Sequence, residues 1–384
     1  MTWTRNYRLF VAGQGVSLIG TWTRSVAQGW LVYRLTGSAV WLAVIAACTQ
    51  VPIVVFASLG GVLADHYRRR SILVMTQSAA MILSFTLAVL AFAGVVEIWQ
   101  MVLIALAGGV VSAIDMPTRQ SFIIEMVGRE HLADALSINW AMAMSAASLG
   151  PALAGYGVKW LGEGWCFAID GASFLAVIAG LLAMRDLPAA PAKPTEPFFE
   201  RIAGGFRFVR GHAEIRRLLS LLAITAFAGL PYATLLPVFA RGVFHGDADA
   251  FGWLSAANGL GALCGAFVVR RHKRVGLACA VLGAVLVGFA LSNQLWLSIA
   301  LLVPLGLVSV MQIGATNALI QLATPDDLRG RVMAIYSMIV MGFAPMGALV
   351  DGAVTRITGP GTPLVVGGVV CLIAALAFVR SSKA

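Results

Sequence analysis

The chain has 384 residues and a formal net charge of +10, with 59% hydrophobic and only 11% charged side chains. Ordinary soluble domains are about 45–50% apolar and about 25% charged, so a water-soluble fold is excluded by the apolar surface it would have to hide. A β-barrel is excluded as well, because its spanning segments are about ten residues of alternating polarity, whereas these apolar runs are continuous and rich in Ala, Leu, Gly and Val.

Hydropathy and turn signals predict an all-α membrane protein with twelve transmembrane helices, at 7–33, 38–64, 71–94, 98–124, 135–159, 164–184, 217–242, 250–271, 275–293, 295–322, 330–356 and 361–380. The opening MTWTRNYRLFVAG has no small-residue cleavage site, so it reads as a retained first span.

The first span carries Arg24 and Gln28, four residues apart and therefore on one helical face. A cation against lipid is costly, so Arg24 is expected to face a cavity, with an interhelical partner as the other reading. Gln50 is the polar candidate of the second span. That span runs into GGVLADHYRRR, where Gly61, Asp65, Arg69 and Arg70 form the pattern G-x-x-x-D-x-x-x-R-R. Gly61 lets two helices approach closely, and Asp65 with Arg69 can make a charge pair that forms in one conformation and breaks in another, which is a gate. The plainer reading takes Arg68 to Arg70 as topological charges.

In the fourth span Asp115 and Arg119 stand at i and i+4 and can pair. The fifth carries Asn139 and Trp140, then ASLGPALAG, where Gly150, Pro151 and Gly155 allow tight packing and a bend, so that the span can flex as part of the gating, with a kinked but passive helix as the other reading. The sixth holds Asp170. A Pro- and Ala-rich stretch follows, and residues 185–216 read as a cytoplasmic linker between an N-terminal six-helix bundle, 1–184, and a C-terminal one, 217–384. Within it Phe198, Ile202, Phe206 and Val209 recur at helical spacing, as in a short amphipathic helix on the membrane surface.

The second half offers Asn258, Gln312, Asn317, Gln321 and Asp351. Asp170 or Asp351 can bind a coupling proton, since burial favours a neutral carboxyl. Trp99, Trp160, Trp165 and Trp296 lie near span ends, as in an interfacial belt.

Of the 27 Lys and Arg, Arg24 lies within a span and Arg34, Lys159, Arg241 and Arg356 fall at the loops of one side, which leaves 22 for the other side. By the positive-inside rule both termini are then cytoplasmic, and the basic charge needs no nucleic acid. The five cysteines and five histidines show no disulfide or metal spacing. The patterns G-x-x-x-x-G-K-[ST], H-E-x-x-H and G-x-S-x-G are missing, so no catalytic or metal residue is expected. The two halves echo each other, IIEMVGREHLADALSINWAMAM matching LIQLATPDDLRGRVMAIYSMIV with Glu125 against Gln321 and Trp140 against Tyr336.

The loop GGVLADHYRRR resembles the signature of the major facilitator superfamily. Together with GTWTRSVAQGWLVYRLTGS, IDMPTRQSFIIEMVGREHLADALSIN, CFAIDGASFLAVI and DDLRGRVMAIY, it makes the chain similar to the bacterial drug-proton antiporter branch, which includes macrolide-efflux and enterobactin-exporter types. The resemblance covers nearly the whole chain. Two departures stand out in the antiporter motif of the fifth span, Ala146 for its first Gly and Ala154 for its penultimate one.

The resemblance implies two pseudo-symmetric six-helix bundles that expel a small amphipathic molecule, such as a drug, antibiotic or siderophore, by proton antiport. No cofactor beyond the proton gradient is implied. The partners are substrate, proton and membrane lipid; the chain is expected to be monomeric and to lie in the bacterial inner membrane. The alternatives are a lipid or lysophospholipid transporter and a non-transporting sensor on the same scaffold. Replacing Asp65→Asn is expected to abolish transport while membrane insertion stays normal, and wild-type transport in that variant removes the gate.

Overall fold

The computed structural model describes residues 5–128, 130–185, 206–268 and 274–381. Among these there is no strand, and the described residues form twelve long helices. They are α1 Arg5–Thr36, α2 Ala39–His66, α3 Arg69–Ala93, α4 Ile98–Val127, α5 Leu132–Leu161 and α6 Glu163–Ala183. There follow α7 Ala213–Val243, α8 Ala248–Val268, α9 Val275–Leu291, α10 Leu295–Ala323, α11 Asp326–Thr358 and α12 Gly361–Ser381. No end departs from the sequence expectation by more than four residues, the differences being largest at the starts of α7 and α11. Among the described residues nine helices are long and apolar enough to cross a membrane. Of the other three, α9 is a shorter apolar helix, while α1 and α5 are 32 and 30 residues long, ample for a core of about 30 Å at about 1.5 Å per residue.

Helices are the answer because hydrocarbon offers backbone N–H and C=O groups no solvent, so each segment must satisfy its own. Where proline breaks that rule, the helix adjusts. Pro231 has no N–H to offer the Phe227 carbonyl, and just before it the chain widens into a π segment, Thr225–Gly229, closed by Leu230 N–H donating to the Thr225 carbonyl at 3.0 Å. A second π segment, Phe239–Val243, ends α7.

The chain divides into two compact units, one of Met1–Leu35 with Cys48–Thr195, the other of Thr36–Ala47 with Glu196–Ala384. Within the first, α3 packs on α4 and α6; within the second, α9 packs on α10 and α12. Glycine sets the closest approaches in matching places. A methyl group at Gly109 of α4 would lie 2.6 Å from the Thr49 carbonyl of α2, and one at Gly306 of α10 would run into the Asn258 carbonyl of α8. Gly150 of α5 rides on Trp22 and Thr23 of α1, as Gly347 of α11 rides on Phe227 and Pro231 of α7. Small residues at such contacts give lipid-embedded helices the van der Waals area that hydrophobicity cannot supply.

The turns repeat too. Gly162, between α5 and α6, has φ 86 and ψ 164, and Gly359, between α11 and α12, has φ 86 and ψ 167. Each donates its N–H to the carbonyl four residues back, at 3.1 Å to Val158 and 3.0 Å to Thr355. Only glycine takes that φ without strain. The fold is thus an all-α bundle with internal pseudo-symmetry.

Large apolar side chains remain exposed, among them Leu103, Leu153, Leu182, Ile373 and Leu376, as helices embedded in lipid allow. Of the amphipathic stretch expected from Pro197, residues up to 205 lie outside those described; 206–211 is helical, with Val209 buried and Phe206 exposed.

Gly347→Leu is expected to lower the melting temperature of the detergent-solubilised protein, by at least about 1–3 kcal/mol of overpacking, because Phe227 and Pro231 block the side chain. Gly342→Leu, where nothing lies within 4 Å of the added carbon, should leave it unchanged. Equal melting temperatures for the two variants would refute the packing role.

Candidate functional site

Three polar clusters lie inside the first unit. The first joins α3 and α4 at Asp115, which is 3% exposed. Its Oδ1 accepts from the Thr76 hydroxyl at 2.9 Å and the Gln77 amide at 2.8 Å, and its Oδ2 pairs with Arg119 one turn along the same helix. A carboxylate held by a guanidinium and two neutral donors is well compensated against the loss of water.

The second cluster joins α1, α3 and α6 around the fully buried Asp170. Ser84 donates to its Oδ2 at 2.6 Å, Thr21 to its Oδ1 at 3.4 Å, and the Arg24 guanidinium stands 4.0 Å away. Arg24, expected to face a cavity, therefore has an interhelical partner. Gly108 of α4 leaves the space beside its Nη2, and its Nε is buried with no hydrogen-bond partner among the described residues. Gln28, one turn further along α1, is buried.

The third cluster closes one end of the unit. Arg69 Nη1 reaches Glu125 Oε2 at 3.5 Å and the Ser121 carbonyl at 3.4 Å, tying α3 to α4. Arg70 donates to the Leu182 carbonyl at 2.7 Å, one of the orphan carbonyls at the C-terminus of α6. Asn6 donates to the Arg185 carbonyl at 2.7 Å. Gly61 and Asp65 lie in the last turns of α2; the side chain of Asp65 and the surroundings of Gly61 lie outside the described residues. At the other end of the unit Arg34 pairs with Glu163 at 2.9 Å.

The remaining candidates are dispersed. Gly150, Pro151 and Gly155 are buried in α5, and Thr23 of α1 donates to the Gly150 carbonyl at 3.3 Å. Gln50 and Asn139 are half-buried, and Trp140 is 59% exposed. In the second unit Asn258 accepts from the Tyr232 hydroxyl at 2.6 Å, and Asn317 accepts from Gln321 at 2.6 Å. Tyr336 donates to the Ile313 carbonyl at 3.0 Å.

Elsewhere the second unit treats polar groups differently. Gln312 and Thr316, one turn apart on α10 and fully buried, have no hydrogen-bond partner among the described residues for either amide atom or for the hydroxyl. The same holds for Asp351 Oδ2 and the Thr355 hydroxyl, one turn apart on α11.

Sequence reasoning missed Thr76, Gln77, Ser84 and Glu125. The signal for three of them was present: Thr76, Gln77 and Ser84 sit on the buried stripe of α3 with Leu73, Leu87 and Ala88, a polar ladder at helical spacing in an otherwise apolar span.

The fold is that of the major facilitator superfamily. The chain is similar to the nucleoside transporter NupG, with TM-score 0.74 and 13% identity over 99% of this chain and 100% of that one. It is similar also to the inward-open xylose transporter XylE from E. coli, with TM-score 0.73 and 14% identity over 98% and 96%. The family profile for transmembrane secretion effectors matches residues 4–383, and the chain belongs to that family. Curated relatives include the staphyloferrin A transporter of Staphylococcus aureus, 24% identical over 89% of this chain and 87% of that protein. The multidrug efflux pump Tap of Mycobacterium tuberculosis is 26% identical over 91% and 85%, and the enterobactin exporter EntS of Shigella flexneri 25% over 86% and 77%. The chain is a multi-pass membrane transporter with a small-molecule substrate, and not an enzyme.

Breaking one side of the Asp170 cluster tests its pairing. Arg24→Met leaves a carboxylate buried without its cation and is expected to cost about 3 kcal/mol, read as a lower melting temperature in detergent. Adding Asp170→Asn should recover most of the loss. If Arg24→Met melts with the wild type, Arg24 and Asp170 do not depend on each other.

Proposed function

We propose that the chain exports a small amphipathic organic molecule, a siderophore or a drug, from the cytoplasm in exchange for protons. The reading is carried by the family match over residues 4–383, whose relatives include a siderophore transporter, a siderophore exporter and a multidrug efflux pump. It is supported by charged and amide side chains held inside long apolar helices, which are too costly in lipid to persist without use. Two six-helix bundles, 1–184 and 217–384, joined by the linker 185–216, would rock about a central passage and open it to each side in turn. The protein would sit as a monomer in the bacterial inner membrane with both termini cytoplasmic, lipid around its outer faces and no cofactor beyond the proton gradient.

Each candidate then takes a part. Asp65, Arg69 and Arg70 with Gly61 form the cytoplasmic gate, which the Arg69 to Glu125 contact and the Arg70 cap on α6 would reinforce. Gly150, Pro151 and Gly155 let α5 pack closely and flex as part of the gating. Arg24, Gln28, Gln50, Asp115, Arg119, Asn139, Trp140, Asn258, Asn317 and Asp351 supply the substrate and proton pathway.

Expression in a host deleted for its own pumps tests the reading directly. Cells should accumulate less ethidium or macrolide, or secrete more siderophore, and a proton uncoupler should abolish the difference. Uncoupler-insensitive export removes proton exchange. No change with any of these compounds favours the sensor.

A further inference from the structure

We propose that Asp351 is the group of the second unit that binds and releases the coupling proton; this rests on the antiport reading above. Three aspartates are described in the interiors of the spanning helices, and their surroundings differ. Asp115 holds an arginine, a hydroxyl and an amide, and Asp170 has an arginine nearby and two hydroxyls donating to it. Asp351 is 8% exposed, and its Oδ2 is buried with no donor among the described residues. Thr355 follows one turn later with its own hydroxyl unpaired. A carboxylate so buried, with no cation beside it among the described residues, is poorly stabilised in its charged form, so the cheapest compensation is a proton on the carboxyl itself.

The surroundings offer no competing charge. Packed against α11 are α7, α10 and α12, and at Gly352 the first turn of α2, where Ala39 and Val40 come close. Helix α10 has no ionisable side chain, nor do residues 39–47 of α2. In α12 the groups are Cys371 and, at the far end, Arg380. In α7, Tyr232 is bonded to Asn258, Glu214, Arg216 and Arg217 lie at the far end, and Arg241 at the near end is exposed. On α11 itself Arg356 is exposed, while Asp326, Asp327, Arg329, Arg331 and Tyr336 belong to the opposite half. No ion pair joins Asp351 to any described residue.

The step balances simply. A proton arriving from water forms an O–H bond at the carboxylate, which neutralises it; the bond breaks when the proton leaves to water on the other side, and the charge returns. No electron moves and no second reactant is needed. Two discrete charge states in a bundle that cannot stabilise the charged one supply the differential interaction that an exchange cycle requires.

Infrared spectroscopy of the purified full chain in lipid, followed as the pH is raised, tests the assignment without any substrate. The wild type should show a buried carboxylic-acid C=O band that disappears on deprotonation. Asp351→Asn should lack one titrating carboxyl per chain, Asp351→Glu should restore it at a shifted position, and Asp115→Asn and Asp170→Asn should keep it. A full titrating band in Asp351→Asn, or no titrating buried carboxyl in the wild type, overturns the proposal. Asp351→Glu covers the case in which the amide variant fails to fold. The accumulation assay above uses unmutated protein, so failure of uncoupler sensitivity removes the antiport reading, whereas a band that survives Asp351→Asn removes only this residue.

Discussion

Hydrocarbon gives a polar atom nothing to bond, and the rest of this structure follows from that constraint. Every backbone group must be closed inside a helix, so the chain becomes a set of long helices. Every buried polar side chain must be paired by another helix or carry a cost of about 1–3 kcal/mol. The first unit pairs its carboxylates, while Arg24 Nε, Gln77 Oε1 and Arg119 Nε have no partner among the described residues. Asp115 and Asp170 each draw on α3 for neutral donors, Thr76 and Gln77 for one and Ser84 for the other, so one helix stabilises both carboxylates. The second unit leaves Gln312, Thr316, Asp351 and Thr355 with unpaired atoms.

The two units share a scaffold more closely than they share chemistry. Gly162 and Gly359 turn the chain in the same conformation, and the glycine contacts of α4 and α5 recur in α10 and α11. Backbone contacts of this kind leave no adjustable side chain between helices, so each contact can change only by moving whole helices. Over this common frame the polar inventory has diverged. The register that sets Gly109 against Gly306 sets Asp115 and Arg119 against Gln312 and Thr316, so polar residues stand at the matching places while the ion pair of the first unit is replaced by neutral side chains in the second.

The fold was legible because its signals are local. A run of apolar residues of membrane length declares a helix without reference to anything else, and only the ends needed structure. The Asp115 and Arg119 pair was legible for the same reason, four residues on one helix. Partners on other helices were not: Ser84 for Asp170 is 86 residues away and Glu125 for Arg69 is 56, and no spacing rule reaches across a bundle. Arg24 shows the limit best. Its cost in lipid was plain, but a cavity wall and an interhelical partner meet that cost equally well from the viewpoint of sequence. The π segments of α7 were hinted at by Pro231 and Pro237, yet which carbonyls are released depends on how the helix takes up the strain.

Pairing also decides what each carboxylate can do. A group already holding a guanidinium must lose that contact before a proton gains anything by binding, and opening a buried pair costs several kcal/mol. Asp115 is locked in this way, with an arginine on its own helix that moves wherever it moves. The Arg24 and Asp170 pair spans two helices, but it closes within one unit, so a rigid motion of that unit leaves it intact. Such pairs fix helix positions within the unit. Asp351 has nothing to break, and its protonation is opposed only by the supply of protons. On the antiport reading proposed above, a group that carries no ion pair answers a proton gradient more readily than one that must first release a guanidinium.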